Sequence, residues 1–150
     1  MAYSSTRLMA EYFSLFAVCF LAATFVPFYS EFAVVGMLAL DANRELVLAI
    51  ATLGNTLGAA VNWLIGRFLL HFQDRRWFPV TPKQLARAQS WFQRYGVWSL
   101  LLAWLPVGGD ALTFVAGIMR VRFDVFFVLT AIGKGARYAV LIYAIDVGFL

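Results

Sequence analysis

Charge is what this sequence has least of. Only 13% of its 150 residues are Asp, Glu, Lys or Arg, while 63% are hydrophobic. A water-facing domain of that size carries roughly twice as much charge. The mean hydropathy of +0.79 leaves too little polar surface for an aqueous shell, so lipid is the expected solvent for much of the chain. Cysteine is nearly absent as well. Cys19 stands alone in an apolar run, which excludes a disulfide framework and a cysteine-based metal site. The single histidine, His71, adjoins a charged segment. Both are expected to be structural, and neither a cofactor nor a metal is expected. The net charge of +4 does not point to nucleic acid, because the basic residues gather beside apolar spans, as they do at a cytoplasmic membrane face. The length suits a single membrane domain, 1–150.

What is present falls into apolar blocks. Residues 8–40 contain two charges, Glu11 and Glu31. A straight helix of that length would measure about 50 Å. That exceeds an apolar layer of about 30 Å but falls short of two crossings and a turn. Pro27 interrupts the block, since it lacks an N–H and clashes with the preceding turn. The expectation is a re-entrant hairpin turning near Pro27–Ser30. A cleavable signal peptide ending near Leu21-Ala22-Ala23 is the alternative; one positive charge ahead of it and an apolar run continuing past it argue against. Asp41 to Glu45 reads as a charged turn. Leu46 to Gly66 is free of charge and long enough to span. Within it Gly54, Gly58, Asn62 and Gly66 recur every four residues, a stripe on which another helix can pack closely. The Gly54–Gly58 spacing permits a homo-oligomer and fits internal packing equally well. Asn62 is the member suited to a polar path.

Residues 67–94 carry Arg67, Arg75, Arg76, Lys83, Arg87 and Arg94 against Asp74. Thr81-Pro82 predicts a helix start and Gly96 its stop. Leu85, Ala88, Trp91, Phe92 and Tyr95 would then line one face and Lys83 and Arg87 the other. That is an amphipathic helix in the interface of an anionic leaflet, with Arg67, Lys83, Arg87 and Arg94 in lipid contact. Tyr95 to Met119 repeats the first pattern, broken at Pro106 near Gly108, Gly109 and Asp110. Arg120 and Arg122 mark an interface, and Phe123 to Leu150 spans once with Lys134 and Arg137 near its centre.

A shift of 79 residues brings Pro27 onto Pro106, Glu31 onto Asp110, Gly54 onto Gly133 and Asn55 onto Lys134. Each half reads as hairpin, turn and span: repeat one 8–70, an amphipathic linker 71–96, repeat two 97–150. One crossing per half makes the second enter from the opposite side, which is an inverted repeat of the kind common in secondary transporters. Arg7 and Arg44 then share one side. Arg67, Arg75, Arg76, Lys83, Arg87, Arg94, Arg120 and Arg122 share the other, expected to be cytoplasmic. A rival with four straight spans puts the termini inside.

Four ionisable residues fall within apolar segments: Glu31, Asp110, Lys134 and Arg137. Each costs at least about 2.5–3.5 kcal/mol at mid-membrane if unpaired, so mutual neutralisation is expected. Lys134 and Arg137 share a helical face, with Asp110 as their expected partner. The functional reading is a substrate or proton pathway lined by these four with Asn55 and Asn62. The plain alternative is a static ion network that only fixes the fold.

The runs Ser14-Leu15-Phe16, Ala23-Thr24, Pro27, Ser30-Glu31, Gly54-Asn55, Leu57-Gly58, Asn62 and Gly66-Arg67 carry a resemblance. It continues through Arg94-Tyr95-Gly96, Trp104, Pro106-Val107, Gly109-Asp110, Ala116-Gly117, Gly133-Lys134 and Arg137-Tyr138. Together these resemble the DedA membrane family (VTT-domain, SNARE-associated Golgi protein-like) over nearly the whole chain. The resemblance implies a multi-pass bacterial inner-membrane protein with paired re-entrant hairpins and a link to lipid movement. Relatives are described as proton-dependent polyprenyl-phosphate translocases or lipid scramblases. The better-studied ones carry arginines flanking the second hairpin's proline, where this sequence has Ala103 and Gly109. The expected function is a membrane transporter or lipid translocase for an anionic lipid or small anion, with proton coupling through Glu31 or Asp110 as an option. The alternative is a structural or assembly protein without transport; an enzyme is not expected.

Overall fold

The structure, a computed structural model, describes residues 2–24, 29–68, 70–72, 74–77, 80–105 and 108–149. Both expected hairpin breaks, Pro27 and Pro106, lie outside the described residues. Long apolar runs with few breakers become helices, since a backbone without water must satisfy its N–H and C=O groups internally. The helices are α1 (Ala2–Ala22), α2 (Tyr29–Ala39), α3 (Arg44–Phe68), α4 (Pro82–Tyr95), α5 (Gly109–Ile118) and α6 (Phe123–Asp146). Short 3-10 segments cover Leu70–Phe72 and Gly96–Leu102. By length and composition α1, α3 and α6 can cross a membrane. This is an all-α membrane architecture.

The two outer arms differ from each other. The sequence suggests similar part-way arms, yet α1 at 21 residues is about 31 Å long. Its counterpart Gly96–Leu102 is a seven-residue 3-10 helix of about 14 Å. Gly96 is the reason: at φ 63 it ends α4, so the second arm starts late.

The inner arms and spans keep a common offset. The turn after α2 places Asp41 at φ 57, and the turn after α5 places Arg120 at φ 55. Ala42 N donates to Met37 O at 3.2 Å, and Val121 N donates to Ala116 O at 3.0 Å. These are equivalent Schellman-type closures, 79 residues apart, each followed by a long helix. The two long helices run antiparallel. Arg44 at the start of α3 pairs with Asp146 at the end of α6 at 2.7 Å, while Trp63 near the end of α3 donates to Val121 O at 3.2 Å. Apolar side chains fill both ends of this pair. Leu15, Val34, Val47 and Tyr138 belong to one cluster; Trp63, Phe92, Phe114 and Phe126 belong to the other.

The small-residue stripe of α3 is consumed internally. A Cβ on Gly54 or Gly58 would lie 2.7 or 2.3 Å from the Phe16 or Phe20 carbonyl of α1, and one on Gly66 would lie 2.1 Å from Phe114 O of α5. The face of Gly54 and Gly58 is thus occupied by α1.

Thr81 and Gln84 form the expected start of α4. Thr81 Oγ1 accepts from Gln84 N at 3.3 Å and Gln84 Oε1 accepts from Thr81 N at 3.1 Å, a reciprocal cap. Thr81→Ala should lower stability by about 1 kcal/mol. A detergent-phase unfolding midpoint equal to wild type would show that the apolar face alone holds α4. That face corrects the sequence expectation. Leu85, Ala88 and Phe92 are buried in the core beside Trp63 and Phe114, not laid open to lipid, because α4 packs on α5. Tyr95 is exposed, as are Arg67, Lys83, Arg87 and Arg94. Arg67 lies over the Trp63 ring at 5.1 Å and Arg94 over Tyr95 at 5.5 Å.

Candidate polar site at the middle of α6

The four in-layer charges converge on the middle of α6. Glu31 stands in the first turn of α2 and Asp110 in the first turn of α5, where the positive end of each helix favours a carboxylate. Lys134 and Arg137, one turn apart, receive both acids.

The pairing differs from the expectation. Asp110 was the expected partner of both cations, but Arg137 pairs with Glu31. Its Nη2 and Nε donate to Glu31 Oε1 at 2.6 and 3.0 Å, and Nη1 donates to Trp104 O at 3.1 Å. Among the described residues Asp110 pairs with Lys134, Oδ1 to Nζ, at 3.8 Å. The physical reason is reach: the long, forked guanidinium spans from Glu31 of α2 to the Trp104 carbonyl, a distance a shorter or unforked cation would not bridge.

Lys134 Nζ also donates to Asn55 Oδ1, and Asn55 Nδ2 donates to the Tyr138 hydroxyl at 2.8 Å. Cys19 and Ser30, both wholly buried, adjoin that hydroxyl. The exposure is graded. The Lys134 and Arg137 side chains are 5% and 14% accessible, while those of Asp110 and Glu31 are 34% and 37%. The cations sit inward and the carboxylates on the open side.

Glu31, Asp110, Lys134, Arg137 and Asn55 are thus brought together. Asn62 is not. Two turns along α3 from Asn55, its Nδ2 donates to Ala23 O at 2.9 Å, satisfying a carbonyl left free where α1 ends. Tyr138 and the Trp104 carbonyl were not anticipated as members. Tyr138 was within reach of sequence reasoning, since it follows Lys134 by four residues and so shares its face. A backbone carbonyl freed by a helix break has no sequence signature. Among the described residues no group of His, Cys, Asp and Glu could hold a metal ion.

With this geometry in view, comparison is decisive: the VTT domain family model matches residues 26–147, a stretch that takes in α2 to α6. The chain belongs to the VTT-domain family. The inner membrane proteins YqaA of Escherichia coli (strain K12) and of Shigella flexneri are each 38% identical over 139 residues, covering 92% of this chain and 93% of theirs. Undecaprenyl phosphate transporter A of Staphylococcus aureus (strain NCTC 8325 / PS 47) is 34% identical over 92 residues, covering 56% of this chain and 45% of that protein. No solved structure matches. Family, relatives and three membrane-capable helices together make this VTT-domain chain an integral protein of the bacterial inner membrane.

Proposed function

We propose that this chain is a translocase for an anionic lipid or small anion, using a polar path between two re-entrant hairpins of an inverted repeat. The observation that carries the proposal is the gathering of Glu31, Asp110, Lys134 and Arg137, from three helices, at mid-length of α6. Ionisable groups in an apolar layer mark substrate and ion pathways more often than they stabilise a fold. Antiparallel α3 and α6, with matching turns before them, support the inverted repeat. So does the direct contact of Asn55 with Lys134, 79 residues apart: positions exchanged by a two-fold axis touch one another only at the axis. The whole of 1–150 then acts as one membrane domain. The S. aureus relative's name, a transporter of undecaprenyl phosphate, accords with lipid movement, and the relatives' names describe membrane proteins rather than enzymes. Glu31 and Asp110 would gate or exchange protons, and the exposed Arg67, Lys83, Arg87 and Arg94 would contact anionic headgroups.

The test is lipid redistribution in reconstituted vesicles containing a headgroup-labelled anionic lipid. The purified protein should accelerate it over empty vesicles, and Asp110→Asn should return it toward the empty-vesicle rate. A second reading, a structural protein without transport, draws on the neutral balance of two acids and two bases. It predicts that Asp110→Asn lowers abundance while redistribution stays at the empty-vesicle rate for both proteins.

A further inference from the structure

The two buried cations are not equivalent. Arg137 commits three of its five N–H groups to the protein. Its Nε/Nη2 edge grips Glu31, and Nη1 holds the Trp104 carbonyl. Both edges that would clasp an oxyanion side-on are therefore engaged. These bonds also join α2 of the first hairpin to the end of the second hairpin's outer arm. An anion could take Arg137 only by parting the hairpins.

Lys134 is different. Its ammonium has three donors, and among the described residues one goes to Asn55. Asp110 stands 3.8 Å away, close enough for attraction but beyond hydrogen-bond reach. The ammonium is buried and Asp110, a third exposed, lies on its open side. A carboxylate that pairs with a buried ammonium without bonding to it occupies the place an incoming oxyanion would fill. Asn55 meanwhile fixes the ammonium's direction, and Tyr138 fixes Asn55.

We infer that the two cations divide the work: Lys134 is the counter-charge that binds the oxyanion, displacing Asp110, and Arg137 is a latch that holds the two hairpins together. This rests on the translocase reading and assigns within it which residue meets the substrate. The ligand class is an oxyanion presented singly to one ammonium, whether a lipid headgroup or the free ion.

The experiment is equilibrium binding to the full-length protein in detergent, with dihexanoyl phosphatidic acid and inorganic phosphate as separate probes. Wild type should bind the phosphatidic acid if the source is lipid, and inorganic phosphate as well if the free ion suffices. Lys134→Gln, which keeps a polar partner for Asn55, should weaken binding by at least about 10-fold, the loss of one charge-assisted bond. Lys134→Arg should retain it. Arg137→Lys should bind within about 3-fold of wild type while unfolding at lower temperature. If Lys134→Gln fails to fold, Asp110→Asn decides the assignment: removing the carboxylate that the oxyanion displaces from Lys134 should tighten binding by at least about 3-fold, and unchanged or weaker binding overturns it. Wild type binding neither probe overturns the inference, as does undiminished binding by Lys134→Gln or lost binding by a folded Arg137→Lys. Vesicle redistribution by wild type separates the outcomes: if it persists while any of these occurs, the translocase reading stands and only the division of roles falls.

Discussion

Gly117→Ala should lower stability by about 3–5 kcal/mol, enough to keep much of the protein from purifying as a monodisperse species. A Cβ at residue 117 would lie 2.0 Å from Trp63 O and 2.9 Å from Arg67 N. The same crossing brings Gly66 against α5, where its own Cβ would lie 2.1 Å from Phe114 O. The two glycines thus face each other's backbones, α3 on α5, and no rotamer change relieves a clash with a carbonyl. Only separating the helices does, and the cluster of Trp63, Phe114 and Phe126 is built around their contact. Small residues at helix crossings matter most in lipid, where dispersion packing replaces the hydrophobic drive. The displacement would also reach Asp110, which α5 carries in its first turn. Gly36→Ala is the control. No atom lies within 4 Å of the Cβ it would add, and alanine is the better helix former, so its midpoint should match wild type or exceed it by under about 1 kcal/mol. Equal midpoints for Gly117→Ala and Gly36→Ala would show that the crossing is looser than drawn.

What the sequence could convey followed from periodicity and from local chemistry. The 79-residue shift relates Asn55 to Lys134, which touch, and the charged turns at Asp41 and Arg120, which close alike. Thr81, Pro82 and Gly96 delimit α4 because caps depend on neighbours within one turn. What it could not convey was which apolar face meets which. Leu85, Ala88 and Phe92 form a stripe that lipid or protein would cover equally well, and only the packing of α4 on α5 decides. The exchange of partners between Asp110 and Glu31 has the same origin. Face sharing places Lys134 beside Arg137 but says nothing of which acid arrives on which side. Asn62 looked like a path residue because amides in spans usually serve polarity; it caps α1, whose end could not be located from composition. Each miss concerns a contact between elements distant in sequence.

Removing both partners of the Glu31–Arg137 pair should destabilise less than the two single removals summed. Arg137→Met deletes the bonds to Glu31 and to Trp104 O and so unties α2 from the segment that carries Trp104. It should cost about 2–3 kcal/mol, below the usual 3–5 for a fully buried pair, because the Glu31 left behind is a third exposed and keeps part of its solvation. Glu31→Gln should cost about 1 kcal/mol, since the amide oxygen still accepts from a guanidinium that is itself well buried. The double variant should then cost less than the two singles summed, by about 1–2 kcal/mol of coupling. Thermal or denaturant unfolding of the four proteins in one detergent gives the cycle. A coupling near zero would mean that the 2.6 Å contact contributes nothing net, as many exposed ion pairs do, and Arg137 would lose its standing as a latch. The cycle also weighs the two ties of Arg137 separately: Arg137→Lys can keep a charge beside Glu31 but cannot span to Trp104, so its cost relative to wild type isolates the carbonyl bond, and the further cost of Arg137→Met isolates the tie to Glu31. If holding the hairpins is the function of this side chain, most of the loss should appear already in Arg137→Lys.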